Sequence, residues 1–216
     1  RRTDLPDAGA ADRDLPAAAR AQWRVILVGV VVVGLAGFVW QGLFNFFELY
    51  LRSKGVPPTT ARNGLTLLFA AGVPAFLLSG RLADRPPPPP SLVGVRGAFV
   101  ASVLALTLAE GPVALAAATV VVGYALHSLF PATDAYLLEA LPDRHRASAY
   151  AVYSFGMVAV QAPGSSILGS LVEAGYGYDA VLTVASVGLG GVALLLAGLY
   201  RAGRLPGADV TPASAG

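Results

Sequence analysis

Six long apolar stretches alternate with short polar connections along this chain. A helix needs about 20 apolar residues to cross the hydrocarbon core of a bilayer. The stretches cover residues 25–51, 63–80, 92–109, 113–141, 148–172 and 180–200, and clusters of proline or glycine separate them. Because the connections are short, neighbouring helices must run antiparallel. The pattern predicts an up-down array of six transmembrane helices.

The composition agrees with a chain that lies in a membrane. The sequence is 55% apolar and 13% charged, with a mean hydropathy of +0.63. Soluble domains carry about 25% charged residues, and no soluble fold could bury so much apolar surface and still cover its exterior. We therefore predict an all-α membrane protein with a six-helix bundle over residues 23–205, a polar linker over 1–22 and a tail over 206–216.

Basic residues in the connections predict the orientation, because Arg and Lys accumulate on the cytoplasmic side. With the N-terminus inside, the inner segments hold 12 of the 15 basic residues. The outer side holds Arg52, Lys54 and Arg62, all in one connection. Both termini are therefore expected in the cytoplasm, and we expect the cell membrane of a prokaryote.

Residues 1–22 are polar and rich in alanine, and they lack the apolar core of a signal peptide. The sequence also starts at Arg1 without Met. A cytoplasmic linker at this place suggests the rear part of a longer chain.

Several classes of chemistry have no support in the sequence. Cysteine is absent, which excludes disulfides and thiolate sites. Phosphate-binding glycine loops with Lys, HExxH and Gly-x-Ser-x-Gly are not found. The basic residues are scattered through connections, which argues against nucleic-acid binding. We expect no enzyme activity, cofactor or metal site, and a gradient as the driving force of any transport.

Ionisable residues within a span are functional candidates, because they are costly in lipid. His127 lies near the middle of the fourth span, and Asp134 follows on the same face with Tyr124 and Pro131. At 1.5 Å per residue, His127 and Asp134 are about 10 Å apart and not in contact. The imidazole suits a proton or solute pathway. The alternative is a neutral histidine that only packs.

Polar residues in the first and fifth spans are further candidates for the pathway. Gln41 and Asn45 share a helix face with aromatic neighbours, which suits a cavity for a small amphipathic ligand. Glu48 on that face is expected to pair with Arg52. Gln161 precedes Pro163 in the fifth span, where a bend is expected.

A charged turn joins the second and third spans. It resembles the loop motif of the major facilitator superfamily, in which a Gly, an Asp and basic residues join the second and third helices of each six-helix half. In this chain the turn is Gly80-Arg81-Leu82-Ala83-Asp84-Arg85, and five prolines follow it where the family has a Gly and further basic residues.

A second stretch resembles the region of the tenth and eleventh helices of such carriers. It contains Glu139, Pro142, Arg144 or Arg146, Ala147, Gly156, Pro163, Gly164 and Gly169. The resemblance implies the C-terminal six-helix half of a carrier, with the N-terminal half missing, the lipid bilayer as surroundings and a small molecule as substrate.

The resemblance also implies a conformational switch at the inner face. Asp84, with Gly80, Arg81 and Arg85, would dock against a helix of the opposite half in one conformation only. The alternative is an ordinary cluster of inner-face charges. We call this docking contact of Asp84 the latch. Glu139 with Arg144 or Arg146 would either relay charge to the latch or form a static salt bridge.

The sequence thus predicts half of a secondary transporter that works by alternating access and is coupled to protons. A membrane-embedded interaction or regulatory subunit with the same bundle is the alternative. The membrane part of an ATP-driven pump would need a coupling helix, and the inner connections are too short to supply one.

Overall fold

A computed structural model describes residues 14–83 and 89–206, with side chains described outside residues 79–92. Throughout this part of the chain the regular structure is helical, which confirms the predicted all-α class. The helices are α1 Leu15–Gly29, α2 Leu35–Ser53, α3 Pro58–Arg62, α4 Gly64–Ala83, α5 Pro89–Leu108, α6 Gly111–Ala140, α7 Arg146–Gln161, α8 Gly164–Glu173 and α9 Tyr178–Arg201. A π-helical turn, Val30–Gly34, joins α1 to α2, and a 3-10 turn, Asp143–His145, precedes α7.

These helices form membrane spans in the predicted order. Within the described residues, five segments are long and apolar enough to cross a bilayer: Leu15–Ser53, Pro58–Leu78, Gly111–Ala140, Asp143–Glu173 and Tyr178–Arg201. The predicted third span coincides with a shorter apolar segment, Val93–Leu108. We refer to α1–α2, α4, α5, α6, α7–α8 and α9 as the first to sixth spans.

The first helix begins inside the segment that the sequence assigned to a linker. Asp14 caps α1, because its Oδ1 accepts a hydrogen bond from the backbone N–H of Ala17 at 2.9 Å. Pro16 lies in the first turn, where a helix tolerates proline. Ala18 is fully buried. Residues 15–22 are therefore helix rather than linker.

The inner ends of the spans pack against the start of the C-terminal tail. Leu205 is buried, at 2% exposure. The hydroxyl of Tyr136 in α6 donates to the carbonyl oxygen of Pro206 at 2.5 Å. The chain thus remains packed against the bundle after α9 ends.

Most of the tightly packed helix pairs are not neighbours along the chain. The second span packs against the fourth, the third packs against the fourth and the sixth, and the first packs against the fifth. One core cluster, which includes Leu43, Leu68, Phe99, Leu168 and Leu182, contains residues of all six spans. A second cluster, with Val32, Leu137 and Tyr153, lies towards the inner side.

Two glycines bring helix backbones into close contact. A Cβ atom on Gly123 would collide with the carbonyl oxygen of Leu68, and one on Gly164 would collide with that of Phe38. Small residues allow such approaches in membranes, where packing rather than water drives helix association. The fifth span is interrupted between Gln161 and Gly164, at the predicted bend around Pro163.

A polar network closes the outer end of the bundle. Lys54 Nζ lies 2.8 Å from Asp179 Oδ2 and donates to the carbonyl oxygen of Thr107 at 2.7 Å. The hydroxyl of Tyr50 lies 2.9 Å from the carbonyl oxygen of Leu106 and 3.1 Å from Asp179 Oδ1. This network joins the first, third and sixth spans.

Candidate functional site

An aromatic surface runs across the first, second and fourth spans. We call it the aromatic face, and it consists of Trp40, Phe44, Phe69, Phe76 and His127. The ring of Phe69 contacts the rings of Trp40 and Phe44, each with centroids 6.0 Å apart. His127 lies against Phe69 at 5.6 Å and Phe76 at 5.5 Å, in edge-to-face geometry. Phe69 and Phe76 are 46% and 49% exposed, so this face is uncovered in the isolated chain.

The hydrogen bonding of His127 fixes its tautomer. Its Nδ1 lies 2.7 Å from the carbonyl oxygen of Gly123, which can only accept. Nδ1 therefore carries a proton, and Nε2 of the neutral ring holds a lone pair. Gly72 of α4 leaves room for the ring, because a Cβ there would lie 2.6 Å from His127 Cγ. The half-buried imidazole thus keeps one nitrogen for a proton or a solute.

The other pathway candidates lie around this face at different depths. Asn45 is exposed, and its Nδ2 donates to the carbonyl oxygen of Gln41, one turn earlier, at 2.9 Å. Tyr124 is 39% exposed, one turn before His127 on α6. Gln161 packs instead against Gly37, at the seam between the first and fifth spans. Glu48 pairs with Arg52 at 3.9 Å, as predicted, and with Arg62 at 3.5 Å.

Asp134 belongs to a different site from His127. Its Oδ1 accepts a hydrogen bond from the hydroxyl of Tyr150 on α7 at 2.9 Å. Together with Leu138, Asp143, Arg146 and Tyr150 it lines an open groove of about 640 Å³ between the fourth and fifth spans. The structure therefore places Asp134 among the inner-face charges rather than on the aromatic face.

The inner connection between the fourth and fifth spans holds an ion pair that differs from the predicted one. Arg146 Nη2 lies 2.6 Å from Asp143 Oδ1 and donates to the carbonyl oxygen of Leu141 at 3.3 Å. Glu139 and Arg144 are exposed. Among the described residues, Arg146 thus forms its ion pair with Asp143, and the static salt bridge from Glu139 to Arg144 or Arg146 is not present. Helix α6 ends at Ala140, shortly before Pro142. The 3-10 turn that follows places Asp143 close to Arg146.

The loop motif is described only in part. Helix α4 continues through Gly80 and Arg81 and ends at Ala83. Asp84 and Arg85 lie outside the described residues.

Arg96 is the functional candidate that the sequence analysis missed. It was counted among the basic residues of the inner connections, but it lies in α5 and is completely buried. Its removal from that count leaves eleven basic residues on the predicted inner side and three on the predicted outer side, so the predicted orientation is unchanged. The sequence did contain a signal for this residue, because an arginine within an apolar span is costly and is therefore a functional candidate.

Arg96 binds the π-helical turn of the first span. Its Nη1 donates to the carbonyl oxygens of Val31 and Val32 at 2.7 and 2.5 Å. Nε and Nη2 are buried and have no hydrogen-bond partner within the part of the chain that is described. A π turn is rare and is found frequently at functional sites. The guanidinium thus couples the third span to an irregular point in the first.

Comparison with known proteins identifies the family. The sequence pattern that defines the Major Facilitator Superfamily matches residues 29–215. The chain belongs to this superfamily. A relative in Bacillus subtilis (strain 168), named as the uncharacterized MFS-type transporter YwfA, is 24% identical over 181 residues. The match covers 83% of this chain and 43% of the relative, so the chain spans less than half of that protein's length.

Membership in the major facilitator superfamily, together with the apolar helices, makes this chain an integral membrane protein of a transporter family. The family match begins within α1 and includes both the aromatic face and the Arg96 contact. Neither the match nor the relative's name indicates a solute.

Proposed function

We propose that this chain is the C-terminal six-helix half of a secondary active transporter that moves a small amphipathic solute by alternating access. The observation that carries the proposal is the aromatic face: four aromatic rings and an imidazole with a free Nε2, exposed on three neighbouring spans. Large exposed apolar surfaces rimmed by polar groups mark binding or interaction sites.

The partner of this face is a second six-helix half. In such carriers the solute site lies near the bilayer midplane, between two halves that rock against each other. The chain matches 43% of the length of its relative, which leaves room for a second half. We expect that the 216-residue chain alone does not transport, because one wall of its cavity is missing. Solute uptake by vesicles that contain only this chain would contradict this expectation.

The lining of the face determines the class of solute. Aromatic rings contribute a large apolar contact area and prefer edge-to-face or offset partners. His127 adds one hydrogen-bonding nitrogen, and Asn45 adds an amide nearby. A flat or aromatic solute with a single polar group matches this combination, since such pockets are mainly apolar with few polar groups that orient the ligand.

Proton coupling is assigned to His127. A neutral imidazole with a proton on Nδ1 can accept a second proton on Nε2. Protonation of Nε2 would place a cation between Phe69 and Phe76, at the position where the solute binds. Solute and proton would then bind at the same site, either in turn or together. A common site is the simplest way to couple their movements.

The inner face supplies the conformational switch. Asp84, Arg81, Arg85 and Gly80 form the latch that docks on the other half in one conformation. Asp134, Tyr150 and Arg146 provide a polar groove on the same side. Both termini then lie in the cytoplasm of a prokaryotic cell.

Tryptophan fluorescence tests the proposed solute site directly. The chain has two tryptophans, and Trp23→Phe leaves Trp40 of the aromatic face as the only one. We would titrate this variant with cationic ethidium, neutral nitrobenzene and anionic anilinonaphthalene sulfonate. Saturable quenching by at least one compound is expected, and Phe69→Ala should weaken it at least about tenfold.

The matched control is Phe155→Ala, which removes a phenylalanine that is 77% exposed on α7, away from the aromatic face. It should leave the quenching curve unchanged. Quenching that rises linearly with every compound, to the same extent in both variants, would show partition into lipid or detergent and would refute the site.

A further inference from the structure

A groove with one arginine on each side lies between the first helix and the end of the last. It has a volume of about 870 Å³ and is lined by Trp23, Arg24, Leu27, Leu199 and Arg204, among others. Both polar and apolar surfaces line it. The groove lies outside the aromatic face and outside the Asp134 groove.

The groove carries a positive charge. Arg24 and Arg204 both line it, and none of its described lining residues is acidic. Arg20 and Arg201 are exposed close by, one turn before Arg24 on α1 and three residues before Arg204. A site with this charge attracts an anion, and guanidinium groups bind phosphate through two parallel hydrogen bonds.

The apolar part of the groove indicates the rest of the ligand. Trp23 and Leu27 are 54% and 50% exposed, one turn apart on α1. Tryptophan is enriched at the membrane–water interface, where one side of the ring meets lipid and the other meets water. A ligand that satisfies both parts has an anionic headgroup and a hydrocarbon chain.

We propose that this groove binds an anionic phospholipid, with Arg24 and Arg204 on the phosphate and with Trp23 and Leu27 along the upper part of an acyl chain. Basic pockets between transmembrane helices on the cytoplasmic side are known to bind anionic headgroups. The bound lipid bridges α1 and the end of α9, the first and last helices of the bundle. The inference is independent of the proposed solute and of its coupling.

Lipid retention measures this binding. We would reconstitute the protein with phosphatidylcholine containing about one third phosphatidylglycerol, and count the lipids that remain bound by native mass spectrometry. The double variant Arg24→Gln/Arg204→Gln should retain at least about fivefold less phosphatidylglycerol. The matched control, Arg52→Gln/Arg62→Gln, removes two exposed outer arginines and should retain as much as the unmodified protein.

A second measurement separates a lipid from a free anion. In the variant Trp40→Phe, the fluorescence of Trp23 should shift on addition of phosphatidylglycerol and not on addition of inorganic phosphate. A shift with inorganic phosphate alone would mean that the groove is an anion site and would overturn the proposal. Equal lipid loss in both double variants would mean diffuse attraction to the surface charge, which also overturns it.

Discussion

Arg96 and Val32 connect the third span to the first: Nη1 of the arginine lies 2.5 Å from the valine carbonyl oxygen, inside the π-helical turn. The same nitrogen also contacts the carbonyl oxygen of Val31 at 2.7 Å. A π turn leaves backbone carbonyls without their usual helical donors, and the buried guanidinium replaces those donors.

The first prediction is that Arg96→Met loosens the π turn. Hydrogen bonds to a charged group contribute about 1.5–3 kcal/mol, which corresponds to a roughly ten- to hundredfold change in the local opening equilibrium. Amide hydrogen exchange over residues 30–38 should accelerate by that factor. Arg52→Met, which removes an exposed arginine from the far end of the same span, should leave these amides unchanged. Unchanged exchange in Arg96→Met would show that the guanidinium does not support the turn.

Glycine substitutions test the close approach of the second and fourth spans. Gly123→Ala would place a Cβ against the backbone of Leu68, which cannot move as a flexible side chain can. Overpacking of this kind costs about 1–3 kcal/mol, so the thermal midpoint in detergent should fall.

Gly188→Ala is the matched control, because nothing lies within 4 Å of its added Cβ. Alanine in a helix interior is favoured over glycine by about 0.5–1 kcal/mol, so this variant should melt at the same temperature or higher. Equal midpoints for the two variants would contradict the described packing of α4 on α6.

His127→Gln tests proton coupling. With the two-half protein in vesicles, transport of the compound that quenches Trp40 should change with pH. Glutamine keeps a polar group and cannot be protonated, so the pH profile should become flat. The chain has one other histidine, and His145→Gln should preserve the profile. A flat profile in the unmodified protein, or a retained one in His127→Gln, would remove His127 from the coupling.

Asp84→Asn tests whether the charged turn between the second and third spans acts as a latch. If the latch exists, the variant should reach the membrane in normal amounts and lose most of its turnover. Asp14→Asn is the control for charge loss on the same side, since asparagine caps a helix as well as aspartate does. Full activity of Asp84→Asn would favour the alternative in which this turn is an ordinary charge cluster.

The fold was predictable because membrane helices obey strong local constraints. Length, apolar character and prolines in the connections located the helices, and lipid leaves few alternatives for the backbone. The start of α1 was missed although its signals were present, with Asp14 as cap and Pro16 in the first turn. The break at Pro163 followed from local sequence as well.

The candidate site was less predictable because it depends on contacts between distant residues. Nothing in the sequence of Val30–Gly34 indicates a π turn, and its partner Arg96 lies in another span. Phe69 and Phe76 contact His127 only because α4 packs on α6. The hydrogen bond between Asp134 and Tyr150 depends on the packing of α6 against α7, and the partner of Arg146 depended on where α6 ends.

The central claim is that the aromatic face lines a water-filled solute pathway, and cysteine accessibility tests it most directly. The chain has no cysteine, so each substitution introduces the single thiol of this half, and any cysteine of the other half is first replaced by serine. The experiment uses the complete two-half protein in its membrane. Cysteine is placed at Asn45 or Phe69 of the proposed pathway. The control positions are Phe155 and Leu194, which are exposed elsewhere on the surface. A charged, membrane-impermeant thiol reagent reacts with thiolate in water and not with thiols in lipid. The account predicts modification at Asn45→Cys and Phe69→Cys, slowed by the bound solute, with Phe155→Cys and Leu194→Cys unreactive. Unreactive cysteines at both pathway positions would contradict it.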